Sequence, residues 1–220
     1  MRRILPLILA ALLLVGGGAY YFTQNSGSIP GVSIAEAQTD DGEVVPAPDM
    51  VLGEADAPIT VIEYASYTCP HCANFHTNVF KDLKTNYIDT GKVRFVHREV
   101  YFDRLGLWAG MIARCAGETR YFGMNDLIYG GQKDWIGSGE PQEVVENLRK
   151  LGRIAGMNDD QMNACLEDEA MARSMVAAYQ TNAEADGINS TPSFIIDGES
   201  YSNMSYADFA AILDGKLAQE

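Results

Sequence analysis

Basic side chains are scarce in this sequence. In 220 residues, 16 Lys and Arg stand against 30 Asp and Glu, a formal charge of −14. The pI lies near 4.5. Such a surface repels phosphate backbones, which excludes nucleic acid as a partner and argues against tight binding to anionic lipid. Cysteine is scarcer still, at four residues. Cys69 and Cys72 form a Cys-x-x-Cys, whereas Cys115 and Cys165 stand alone and far apart. Zinc takes four ligands at suitable spacing, and no second pair completes a site, so no metal is expected. No internal repeat is visible either.

The first residues carry an address. Arg2 and Arg3 form a basic start, and Ile4 to Val15 is an apolar run of signal-peptide length. Continued through Gly16-Gly17-Gly18 to Phe22, the run becomes long enough to span a bilayer. Residues 1–23 are therefore expected to be a cleaved signal peptide or a retained membrane anchor. Both send the chain across a membrane, to a periplasmic or other extracytoplasmic compartment where disulfides persist. The domain would be soluble after cleavage or tethered to the inner membrane. Residues 24–48 are rich in Ser, Gly, Pro and acid without apolar periodicity, and read as a flexible linker.

Chemistry concentrates in the stretch from Glu63 to Cys72. Ile59 to Ala65 is apolar on both faces, as expected of a strand covered on both sides. Beyond the cysteines, Phe75, Val79, Phe80, Leu83 and Tyr87 recur at helical spacing, with Lys81, Asp82 and Lys84 on the other face. The spacing predicts a helix that starts at the cysteines, with Pro70 at the first helical position, where no amide donor is needed. Cysteines three apart in a first turn share a face and can join without backbone movement. Cys69 is expected at the open end of the helix and Cys72 under the apolar stripe. A helix N-terminus carries roughly half a positive charge and free amides, which favours a thiolate at Cys69. A protonated or hydrogen-bonding His71 pushes the same way. A stabilised thiolate stabilises the reduced pair, and that makes the disulfide an oxidant. A purely structural bridge over so small a loop offers little entropy. Copper handling by the two thiols is a rival use.

Glu63 is the anomaly of its strand. A buried carboxylate is costly and holds its proton more tightly, so it can store or pass one near neutrality; alternatively it reaches a sheet edge. Val93 to Val100 reads as the next strand, with His97 a core or edge histidine, and His76 is expected to pack or meet solvent. Helical patterns then dominate, over Leu107–Glu118, Arg120–Tyr129, Pro141–Gly152, Asp159–Leu166 and Asp168–Ala185. Trp108 and Trp135 read as packing. Cys115 and Cys165 fall on two of these helices, and in an oxidising compartment they pair or else remain as two buried thiols. Ser193–Ile196 and Glu199–Ser202 form a hairpin around Asp197-Gly198, and a helix capped at Ser205 closes the chain.

Cys69-Pro70-His71-Cys72, Glu63 six residues earlier, and Thr191-Pro192 before the hairpin resemble the DsbA-like thiol:disulfide oxidoreductases, from about Met50 to the C-terminus. The resemblance implies a thioredoxin fold interrupted by an α-helical insert, an α/β architecture. Residues 49–103 and 186–220 would form the thioredoxin-fold domain and 104–185 the insert. It implies Cys69 as attacking cysteine and Cys72 as its resolving partner, flanking Pro70 and His71. Glu63 would be the buried acid beneath Cys72, and Pro192 a cis-proline facing the disulfide. Thr191 would pair its backbone with an extended substrate. It also implies reduced or unfolded exported proteins as substrates, and a quinone-linked membrane oxidase of the DsbB type that restores the disulfide. The redox-active Cys69–Cys72 disulfide would be the only redox group, with no further cofactor. One departure stands out: the best-known oxidases have Val before the proline, and Thr occurs there in related isomerases. A disulfide reductase or isomerase using the same atoms is the alternative direction.

Overall fold

The computed structural model describes residues 44–219. The expected signal peptide or anchor and most of the linker lie outside them. Five strands form one sheet in the order β1-β3-β2-β4-β5, namely β1 (Met50–Leu52), β2 (Ile59–Ala65), β3 (Val93–Glu99), β4 (Ser193–Ile196) and β5 (Glu199–Ser202). β2 occupies the centre, parallel to β3 and antiparallel to β4. Glu63 is therefore paired with His97 on one side and Phe194 on the other, which removes the sheet-edge alternative. The parallel pair needs a crossover, and the segment with the cysteines supplies it.

That crossover is not one helix. α1 (Pro70–Asn78) ends at Val79, whose φ of −117° departs from helical values. α2 (Phe80–Leu83) and a π-helical turn, Lys84–Ile88, follow. The Thr77 hydroxyl donates to the Ala73 and Asn74 carbonyls just before the break, a back-bond that bends helices. The stripe survives the break: Phe75, Val79, Phe80, Leu83 and Tyr87 are all buried. The wide π turn adds a residue and returns Tyr87 to the core face.

Six helices lie between β3 and β4: α3 (Arg104–Cys115), α4 (Glu118–Gly130), α5 (Gln132–Ile136), α6 (Pro141–Ile154), α7 (Asp159–Leu166) and α8 (Glu169–Ala185). The expected helix Leu107–Glu118 starts earlier and stops sooner. Asp103 caps its first turn by accepting from the Gly106 amide at 2.9 Å, and Gly117, at φ 87°, turns the chain before Glu118. α5 has no counterpart among the expected helices. Cys115 and Cys165 are joined, with Cα atoms 6.2 Å apart, and tie α3 to α7. Trp135 is buried and donates to the Ile128 carbonyl, while Trp108 carries Arg104 over its ring at 4.7 Å.

Asp197 and Gly198, both at positive φ, close the β4–β5 hairpin. α9 (Tyr206–Leu217), capped by Ser205, packs Phe209 onto Phe194 and Phe75. The end of the expected linker is tied down. The Ala47 amide donates to the Ser174 carbonyl, Ser174 Oγ donates to the Val45 carbonyl, and Arg98 grips Asp49 through both carboxylate oxygens. Among the described residues, no helix is long and apolar enough to cross a membrane.

Candidate active site

The turn that leaves β2 delivers Cys69 to the N-cap of α1. Its geometry is fixed from three directions. The Cys69 amide donates to the Ser66 carbonyl at 3.1 Å. Thr68 Oγ1 donates to Asp103 at 2.7 Å, the same carboxylate that caps α3. Gln132, at the start of α5, donates to the Tyr67 and Cys69 carbonyls at 2.8 and 3.0 Å. Asp103 and Gln132 escaped the sequence reading. Both are remote in sequence from Cys69, and only a capping signal at Asp103 was there to find.

Both cysteines of the motif are free thiols, Cys69 half-buried and Cys72 fully buried. Their acidities diverge. Cys69 is lowered to about 5, chiefly because the Cys72 thiol hydrogen-bonds to its sulfur, with help from Thr191 and from the backbone amides of Cys72 and His71; burial opposes the shift. Cys72 is pushed far above the ordinary thiol range, first by burial, then by that same hydrogen bond and by the charge of Glu63. The exposed His71 acts on Cys69 through its backbone amide.

The peptide between Thr191 and Pro192 is cis and faces Cys69. Cys69 Sγ donates to the Thr191 carbonyl at 3.4 Å. Thr191 Oγ1 is buried and has no partner of its own, so it is free to donate once the sulfur becomes a thiolate. The carbonyl thus serves the thiol and the hydroxyl the anion.

Behind Cys72, Glu63 is completely buried. Its Oε2 lies 2.9 Å from His76 Nε2 and 4.0 Å from His97 Nε2, while Oε1 has no partner. His76 stacks on the Tyr129 ring at 4.0 Å between centroids. Burial drives His97 down to about 4, against the pull of Glu63 and Glu99. His76, expected to pack or meet solvent, is a buried partner of the acid. The three donor atoms lie within 4.8 Å of one another, near enough to surround an ion. Glu63 and His76 are instead bonded to each other, and His97 Nε2 lies 3.2 Å from the Tyr129 hydroxyl. The donor set reads as a polar network.

The family model described as Thioredoxin matches residues 46–215. The chain belongs to that family. The chain is 30% identical to Wolbachia pipientis alpha-DsbA1, whose crystal structure superposes with a TM-score of 0.71 over 80% of this chain and 94% of that one. A Rickettsia bellii relative, provisionally named a protein-disulfide oxidoreductase, is 35% identical over 172 residues, 78% of this chain and 65% of the relative. Disulfide bond formation protein D of Bacillus subtilis is 24% identical, covering 74% and 72%. The chain thus spans a little under two thirds of the rickettsial relatives it matches. These likenesses make it a DsbA-like member of the thioredoxin family, with the helical insert between β3 and β4.

Proposed function

We propose that the chain is a protein dithiol oxidase acting on exported proteins. The observation that carries this reading is the opposed acidity of the two thiols, Cys69 at about 5 and half-buried, Cys72 far higher and sealed. A substrate thiolate attacks the Cys69–Cys72 disulfide at Cys69, forming a mixed disulfide and expelling Cys72, which takes up a proton. A second substrate thiolate then attacks the substrate sulfur, and Cys69 leaves readily as a stable thiolate. Two electrons pass from substrate to the pair, and the substrate departs with its disulfide. Pro70 starts the helix whose amides hold the Cys69 anion. Thr191 and Pro192 form the wall on which an extended substrate pairs.

The name of the Bacillus subtilis relative, a disulfide bond formation protein, agrees with this direction, and the N-terminal sequence, read as an export signal or an inner-membrane tether to an extracytoplasmic domain, agrees with the compartment. A DsbB-type quinone-linked oxidase would restore the disulfide, and the pair needs no further cofactor. The deciding experiment is the reduction potential of Cys69–Cys72 in glutathione buffers. An oxidase requires a value near the roughly −120 mV of DsbA; one near the roughly −270 mV of thioredoxin defeats the reading and favours a reductase.

A further inference from the structure

The proposed exchange moves a proton at Cys72 in each half-cycle, yet Cys72 and Glu63 are both sealed from water. A line of polar groups, hydrogen-bonded from His97 onward, runs from beside Glu63 to the rim of the fold. His97, on the neighbouring strand, places Nδ1 2.8 Å from the Tyr121 hydroxyl on α4. Tyr121 donates to Glu99 Oε1 at 2.8 Å. Glu99 holds Arg114 of α3 through both oxygens, at 2.8 and 2.6 Å. Arg114 is 11% exposed and also donates to the Pro48 carbonyl.

The direction of each bond follows from its partners. Tyr121 spends its one hydroxyl hydrogen on Glu99 and can only accept from His97, whose Nδ1 therefore bears a hydrogen; on the neutral ring Nε2 is then bare and accepts from the Tyr129 hydroxyl. His97 then donates to Tyr121, which passes its own hydrogen on to Glu99. Tyr67 directs its hydroxyl to Asn125 at 2.7 Å, with Tyr121 at 3.1 Å, and fixes the tyrosine from the other side. The Tyr101 hydroxyl, buried beside Arg114 and Glu99, has no partner and makes no link. The step from Glu63 to His97, at 4.0 Å, is the one gap longer than a hydrogen bond. Glu63 can close it by releasing His76 or by presenting the unpaired Oε1.

We propose that His97, Tyr121 and Glu99 form a proton relay that connects Glu63, and through it Cys72, to solvent at the Glu99–Arg114 rim. When Cys72 attacks a mixed disulfide at Cys69, its proton goes to Glu63. The proton on Glu63 moves to His97 Nε2, the Nδ1 proton moves to Tyr121, and the Tyr121 proton moves to Glu99 and on to water. Each transfer makes one bond to hydrogen and breaks one, and no electron travels along the line. When a substrate later expels Cys72, the same transfers run backwards and restore the starting tautomer of His97, so the ring never turns over. Tyr121 and Glu99 touch no reacting atom and are positioning residues.

The proposal rests on the oxidoreductase reading and is tested on the full chain. Reduced protein is mixed with saturating oxidised glutathione in H2O and D2O. Closure of the Cys69–Cys72 disulfide is then followed by acid quench, alkylation and mass spectrometry. Tyr121→Phe keeps the ring and removes the hydroxyl. Closure should slow by about tenfold or more with a larger solvent isotope effect, while alkylation of Cys69 keeps the wild-type rate. Wild-type closure and isotope effect in Tyr121→Phe overturn the relay alone. A wild type that forms no Cys69–Cys72 disulfide overturns the oxidoreductase reading and the relay with it. Should Tyr121→Phe fail to fold, infrared difference spectra of wild type carrying 13C-labelled tyrosine decide instead. A tyrosine C–O band must move when the disulfide is reduced, and its silence overturns the relay.

Discussion

Cys69 and Cys72 share one helical turn and one hydrogen bond, yet that bond helps one sulfur ionise and hinders the other. Donation from Cys72 stabilises the Cys69 anion, and the same proton is then harder to remove from Cys72. Alkylation of reduced protein with iodoacetamide should therefore titrate as Cys69 alone, with a midpoint near 5. Thr191→Val, which removes the hydroxyl without a partner, should move that midpoint upward, and an unchanged midpoint would take the hydroxyl out of the account. The motif itself was legible because three-residue spacing and a following apolar stripe are local facts. His76 and His97 were visible as histidines but not as partners of Glu63. Nothing in the chain announces that residues 63, 76 and 97 converge, because strand pairing and the packing of α1 bring them together.

At the scale of elements, the Cys115–Cys165 bridge links helices separated by 50 residues. Replacing both cysteines by Ala should lower stability by up to about 4 kcal/mol in the chain-entropy model, less any native strain relieved. Denaturant curves with the Cys69–Cys72 pair held reduced would measure it. Elements with strong periodicity or caps were legible: β2, the β4–β5 hairpin, and α9 behind Ser205. The break at Val79 was not, because no Gly or Pro marks it and the stripe reads through. α5 was hidden for the opposite reason. Five residues between Gly131 and Gly137 are too few to show a helical period, although Gln132 there holds the Cys69 carbonyl.

For the whole molecule, the heightened acidity of Cys69 couples redox state to stability. Its folded value lies below the ordinary thiol value of 9.0, so the thiolate stabilises the reduced fold fully above that value. The contribution shrinks as pH falls and is gone below about 5. Below about pH 8 Cys72 stays largely protonated, folded or unfolded, and the disulfide form has neither thiol to titrate. The stability of the reduced form relative to the oxidised one should therefore decline steadily between about pH 8 and pH 5. Guanidinium unfolding of both forms at several pH values checks it, and a flat difference would contradict the assigned acidity.

The strap at residues 45–49 gives the fold a mechanical property. A pull on the chain ahead of Val44 is borne first by the Ser174 bonds, by Arg114 on the Pro48 carbonyl and by the Arg98 grip on Asp49. These anchors lie on α8, α3 and β3, and the load reaches them before it reaches β2, the strand that carries Glu63 and leads to Cys69. Tension applied at the start of the described residues would thus be discharged upstream of the sulfurs, leaving the two thiols their spacing.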